Sequence, residues 1–143
     1  MSDGRRRGLA RLRWLPALGV MAVIFVLSSQ SGLRVSADAE VDGPLRTLAH
    51  FSVYALLAAA LLYAVSGPRR PSAMSATIAV AVAMLFGVSD EIHQAFVPDR
   101  TGQLQDVLVD GMGAVVGALV ALALLRSATS RAGQPLPWSR RRG

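Results

Sequence analysis

Acidic side chains are concentrated in one stretch of this chain, and two long apolar runs flank it. The stretch begins Ser89-Asp90-Glu91-Ile92-His93-Gln94 and continues through Pro98-Asp99-Arg100 to Asp106 and Asp110. Adjacent carboxylates beside apolar segments lose hydration and repel each other, so they need a positively charged partner nearby. We expect a partner such as Arg100, His50 or a bound cation. At a membrane edge such carboxylates indicate a functional site, with a purely structural ion-pair latch as the alternative.

Helical spacing predicts that Gly87 and three residues of this stretch share one side of a helix. They lie three or four positions apart: Gly87, Asp90, Glu91 and Gln94. Residues at these spacings are neighbours on a helix surface. His93 is two positions from Glu91, so it points to another side of the helix. A His near a helix C-terminus is favoured there without any catalytic role.

The apolar run that follows has the same arrangement of a polar end and an inward face. Asp106 and Asp110 are four positions apart. The same face continues with Gly113 and Gly117, and a Gly-x-x-x-Gly pair allows another helix to approach closely. We therefore expect both carboxylates to face the other helices. The alternative for Asp106, at the start of its helix, is that it only complements the helix dipole.

The apolar run at about 45–65 contributes His50 and Tyr54, one helical turn apart, with Thr47 on the same side. Three helices thus bring polar side chains to the same depth. The predicted ligand-binding residues are His50, Tyr54, Asp90, Glu91, Gln94, Arg100, Asp106 and Asp110. If the site is catalytic, Glu91 or His50 would be the general base and Asp90 would tune it.

Four apolar runs must position these residues. They predict membrane spans at about 14–29, 45–65, 73–96 and 105–125. A helix rises about 1.5 Å per residue, so about 20 residues cross a hydrocarbon core of about 30 Å. The Gly- and Pro-containing turn at 66–71 makes the second and third helices antiparallel neighbours. The sequence predicts an all-α fold, a four-helix transmembrane bundle.

The arginines predict how this bundle is oriented. The net charge of +6 comes from Arg alone, because the chain has no Lys. Twelve of the fifteen Arg residues lie in a basic leader (1–13), at positions 69–70 and in a basic, disordered tail (126–143). The positive-inside rule then makes both termini cytoplasmic and places the polar stretch outside.

The clustering of the arginines also argues against a nucleic-acid surface. A cleaved signal ending near Ala37 is the less favoured alternative for the first run.

The residue types also limit the chemistry of the site. The chain has no Cys, which excludes disulfides, a thiol nucleophile and thiolate metal ligands. No HExxH-type spacing is present, and a site made of His50, Glu91 and His93 would require His93 to turn toward Glu91. The sequence therefore predicts no metal and no cofactor.

With these motifs in hand, the chain resembles the VanZ-like family of small bacterial membrane proteins, named for a member linked to resistance to the glycopeptide teicoplanin. The resemblance covers about 25–117, within a transmembrane domain at 14–125. Its motifs are Leu27-Ser28-Ser29-Gln30, Ala49-His50-Phe51 with Tyr54, Asp90-Glu91-Ile92-His93-Gln94-Ala95-Phe96, Pro98-Asp99-Arg100, and Asp106, Asp110 and Gly113. Many similar sequences have a Lys before this His and a Glu before this Tyr. Those places hold Thr47 and Val53 here.

The resemblance favours a multi-pass protein of the bacterial plasma membrane that binds a cell-envelope lipid, a wall precursor or a glycopeptide and affects antibiotic susceptibility. Arg100 would then hold an anionic group bidentately. Two alternatives stay open. One is an intramembrane enzyme acting on a lipid-linked envelope precursor, and the other is a small oligomeric transporter coupled to protons or cations. A homo-oligomer is also left open.

Overall fold

Four α-helices form the structure, a computed structural model that describes residues 8, 10–31, 36–98, 100 and 102–132. They are α1 (Leu15–Ser28), α2 (Ala39–Ser66), α3 (Ala73–Gln94) and α4 (Leu104–Ala132). All four are long and apolar enough to cross a membrane, with the first span counted from Ala10. The prediction of an all-α bundle with four spans is confirmed. Most of the predicted leader and the last part of the predicted tail lie outside the described residues.

Helix α2 begins earlier than the predicted span at 45–65, because the polar segment before that span caps it. The Asp38 carboxylate accepts a hydrogen bond of 2.9 Å from the backbone N–H of Glu40. Glu40 and Asp42 lie in the first turn, where negative charge interacts favourably with the helix dipole. Pro44 lies inside the helix, near its start. Residues 39–44, before the predicted span, are therefore helical.

A tight turn joins α2 and α3 at the opposite end of the bundle. Gly67 has φ of 58°, a left-handed conformation that glycine adopts without steric cost. Ser72 then caps α3: its hydroxyl accepts from the backbone N–H of Ser75, and the Ser75 hydroxyl accepts from the backbone N–H of Ser72. This reciprocal capping box starts α3 at once, so α2 and α3 pack as antiparallel neighbours.

Helices α2 and α4 approach each other most closely, as the Gly-x-x-x-Gly pattern predicts. A Cβ at Gly113 would collide with the carbonyl oxygen of Phe51, and a Cβ at Gly117 would collide with that of Ala55. The glycines therefore allow backbone-to-backbone contact. This contact sets the register between the two helices and brings the start of α4 beside His50.

Helix α1 lies at the edge of the bundle, against α2 and α3. Near its start, the Arg13 guanidinium donates to the Tyr63 carbonyl oxygen at 2.8 Å and lies 3.9 Å from the centre of the Tyr63 ring. Large apolar side chains are exposed around the bundle, among them Phe25, Leu85 and Leu119. An apolar exterior of this kind suits lipid, and the chain is a multi-pass membrane protein.

Candidate functional site

Four carboxylates are buried at one end of the bundle, each less than 10% exposed: Asp90, Glu91, Asp106 and Asp110. The C-terminal end of α3 supplies the first two, and the N-terminal end of α4 supplies the others. The structure thus brings together the two polar faces that helical spacing predicts. So much negative charge away from water requires partners.

The α4 carboxylates are partnered by α2. The Nδ1 atom of His50 lies 3.0 Å from Oδ1 of Asp110, and its Nε2 lies 4.0 Å from Oδ2 of Asp106. Asp106 also accepts a hydrogen bond of 2.8 Å from Nη2 of Arg46. Arg46 is a site residue that the sequence argument missed. Its position one turn before His50, on the same helix face, was the signal that could have found it.

Glu91 is held by the connection between α3 and α4 rather than by an arginine. Its Oε2 accepts from the backbone N–H of Gln103 at 2.7 Å, and its Oε1 accepts from Nε2 of Gln94 at 3.3 Å. A bidentate pair between Arg100 and Glu91 is not found among the described residues. The loop therefore supplies a backbone donor where we expected a cation.

Asp90 faces α1, and it is one of five residues that fasten this helix, which we call the α1 latch: Ser28, Ser29, Asp90, His93 and Arg100. The Ser28 hydroxyl donates to Oδ1 of Asp90 at 2.5 Å. Nη1 of Arg100 donates to the carbonyl oxygens of Ser28 at 2.8 Å and Leu27 at 3.3 Å. These bonds give the serines of the Leu-Ser-Ser-Gln motif a structural role.

His93 belongs to the same latch and is separate from the carboxylate cluster. Its Nε2 lies 3.0 Å from the Ser29 hydroxyl, and its ring stacks on Phe25 with 4.7 Å between the ring centres. It points away from Glu91, as helical spacing predicts. The Ser29 hydroxyl also donates to the Phe25 carbonyl oxygen at 2.6 Å.

A cavity of about 170 Å³ opens between α1, α2 and α3. Its polar lining residues are Ser28, Asp42, Arg46, His50, Tyr54, Asp90, Gln94 and Arg100. Five of the eight residues predicted to bind a ligand thus face it. Glu91, Asp106 and Asp110 do not line it, and they form a buried layer behind His50.

Several buried polar atoms at this end have no hydrogen-bond partner among the described residues. They are the Tyr54 hydroxyl, Oε1 of Gln94, Oδ2 of Asp110 and Nε of Arg46. A buried polar atom without a partner costs about 1–3 kcal/mol, so native structures contain few of them. Three of these four residues line the cavity.

Arg100 keeps its attraction for anions. Burial lowers the pKa of Arg100 below its ordinary value, and the nearby charge of Arg46 lowers it further. The carboxylates of Asp90 and Glu91 raise this pKa and so offset part of the change. An arginine stays charged at neutral pH even so. Its hydrogen bonds go to backbone carbonyl oxygens, which carry no full charge. A guanidinium in this state at a cavity can bind an anionic group.

The fold and the site define a four-helix, multi-pass membrane protein with a buried polar cluster at one end. The sequence pattern of the VanZ/LLP1 family matches residues 12–126, and the chain belongs to this family. No curated protein and no solved structure matches it. The matched range contains every predicted site residue and the whole α1 latch.

Proposed function

We propose that this protein binds the anionic headgroup of a cell-envelope lipid or lipid-linked wall precursor in the cavity between α1, α2 and α3. The observation that carries the proposal is a pair of arginines, Arg46 and Arg100, that line one cavity together with Tyr54 and Gln94. Tyr54 and Gln94 each carry a buried polar atom without a partner among the described residues. By the positive-inside rule, the cavity faces the outer leaflet of the plasma membrane.

Arg46 and Arg100 each have N–H groups that make no hydrogen bond within the described structure and could bind a phosphate. Arg46 uses Nη2 on Asp106, and its buried Nε has no partner among the described residues. The hydrogen bonds of Arg100 within the described structure all use Nη1. A guanidinium binds phosphate through two parallel N–H donors. The Tyr54 hydroxyl and Oε1 of Gln94 would then bind hydroxyl or amide groups of the headgroup.

The size of the cavity favours a headgroup over a glycopeptide antibiotic. Pockets for drug-sized ligands usually measure about 300–1,000 Å³, whereas this cavity is about 170 Å³. Its apolar lining residues, among them Ile24, Leu27 and Val53, suit the glycerol or first methylene groups of a lipid. An effect on teicoplanin susceptibility would then arise through the envelope lipid or wall precursor, without direct binding of the drug.

Native mass spectrometry of the purified protein with phosphatidylglycerol and with phosphatidylcholine tests the proposal. We expect the anionic lipid to be retained preferentially. A hydrogen bond to a charged group contributes about 1.5–3 kcal/mol, so Arg100→Gln should weaken its binding at least about tenfold. Arg100→Lys should also impair binding because the planar fork is lost. Arg70→Gln, in the turn at the other end, is the control.

Thermal unfolding of the same variants separates binding from stability, since Arg100 also belongs to the α1 latch. Arg100→Gln variants that stay folded and still lose the anionic lipid support the proposal. Equal retention of both lipids by the wild-type protein contradicts it. So does wild-type lipid binding by both Arg100 variants.

A catalytic role is the second candidate, and the position of His50 favours it. His50 lines the cavity, and the contact of its Nδ1 with Asp110 would hold the ring in place and leave Nε2 for proton transfer. Glu91 does not line the cavity, so His50 is the better general base. Loss of turnover of a lipid-linked substrate in His50→Gln, with lipid binding retained, would support this role.

A further inference from the structure

We propose that His50, Glu91 and Asp110 bind a divalent transition-metal cation in the buried layer behind the cavity. One donor atom from each of these residues lies within 4.8 Å of the others. The three residues belong to α2, α3 and α4 respectively. A cation there would join all three inner helices at one point. The inference does not depend on lipid binding in the cavity.

The charge balance of the cluster favours a bound cation. Four carboxylates are buried there, and within the described structure their cationic contacts are Arg46 and His50. Arg100 donates to backbone carbonyl oxygens. Even with His50 protonated, carboxylates outnumber the cations that touch them. Unpaired charge in a membrane-embedded site is expensive, and a divalent cation would neutralise the excess.

The burial of the Asp110 carboxylate is an independent observation that supports a cation at this position. Asp110 is 1% exposed, and its Oδ2 is buried without a partner among the described residues, although Oδ1 contacts His50. This Oδ2 lies 3.5 Å from the point where a Cβ of Gly87 would stand. It therefore faces the α3 surface that carries Glu91 one turn further along.

The donor set indicates which metals fit. It combines one imidazole nitrogen with carboxylate oxygens, and Zn²⁺ and Mn²⁺ bind such mixed sets. Ca²⁺ and Mg²⁺ prefer oxygen donors alone. By residue type alone, His93 would be the third ligand. In the structure His93 contacts Ser29 on α1, and Asp110 takes its place beside His50.

Metal content of the full-length protein tests the proposal. The protein should be purified in detergent with a tag that contains no His, stripped with EDTA, dialysed against Zn²⁺ or Mn²⁺, and measured by inductively coupled plasma mass spectrometry. We expect about one equivalent in the wild type and at least about tenfold lower affinity in Asp110→Asn and Glu91→Gln. Glu40→Gln, which removes an exposed carboxylate of α2, should bind like the wild type.

Thermal unfolding of the wild type gives a second readout that needs no variant to fold. EDTA should lower its Tm, Zn²⁺ or Mn²⁺ should restore it, and Mg²⁺ should not, because a ligand that binds only the folded state stabilises it. Absence of bound metal together with an unchanged Tm in EDTA would overturn the proposal. Metal bound equally by the wild type, Asp110→Asn and Glu91→Gln would overturn it as well.

Discussion

Ser28 at the end of α1 donates a hydrogen bond of 2.5 Å to Asp90 near the end of α3, and both side chains are buried. The bond joins residues sixty-two positions apart. Both residues line the cavity, so the C-terminal end of α1 forms one of its walls. A helix that otherwise lies at the edge of the bundle is thus attached to the candidate site.

Ser28→Ala should loosen α1. The change leaves one oxygen of the buried Asp90 without its donor, and a hydrogen bond to a charged group contributes about 1.5–3 kcal/mol. We expect a loss of stability of this size, measured by thermal or denaturant unfolding in detergent. Ser89→Ala is the control, since the Ser89 hydroxyl is exposed and bonds only its own helix. Equal stability of the two variants would show that the Ser28–Asp90 bond contributes nothing.

Gly117→Ala should separate α2 from α4. A Cβ at Gly117 would meet the Ala55 backbone, which cannot move aside as a flexible side chain can. Overpacking of this kind costs about 1–3 kcal/mol or more. Gly111→Ala on the same helix is the control, because its Cβ would meet only the Met84 side chain at 3.5 Å. Thermal or denaturant unfolding in detergent measures both variants. Wild-type stability of Gly117→Ala would contradict the close contact between α2 and α4.

Arg46→Gln should destabilise the start of α4, because Asp106 loses its 2.8 Å contact with Arg46 and keeps only the 4.0 Å contact with His50. Removing one partner of a fully buried ion pair costs about 3–5 kcal/mol. Because the Arg46 side chain is 32% exposed, solvent screens the pair and we expect about 1–3 kcal/mol. Adding Asp106→Asn should recover part of this loss. A double-mutant cycle measures the coupling, and strict additivity of the two losses would show that the pair is not coupled.

Membrane orientation can be tested with single cysteines, because the chain has none of its own. Asp38→Cys at the start of α2 should react with an impermeant maleimide added outside the cell. Arg70→Cys, in the turn at the other end, should react only after the membrane is opened. The positive-inside rule predicts this pattern, and the reverse pattern would place the cavity on the cytoplasmic side.

The four helices and their inward faces could be predicted because both depend on local periodicity. Apolar runs of sufficient length give the spans, and steps of three and four positions give shared faces such as that of Asp106 and Asp110. The glycine pair on α4 likewise predicts close packing without any knowledge of its partner.

The partner of each carboxylate could not be predicted in the same way. Glu91 binds the backbone of Gln103 because the loop after α3 turns back over it, and loop paths are not encoded in helical periodicity. Arg100 contacts α1 instead of Glu91 for the same reason. The role of Ser28 depends on how α1 is rotated against α3, which its almost uniformly apolar sequence leaves open.

The contacts between α2 and α4 also affect how the protein is made. Arg46–Asp106 and His50–Asp110 each join residues sixty positions apart, and α4 is the last of the four helices to leave the ribosome. Arg46 and His50 must therefore enter the membrane before their carboxylate partners exist. Until then, water and headgroups at the bilayer surface can solvate them, since long polar side chains near a helix end reach the interface. The site is completed only when the final span, α4, is inserted.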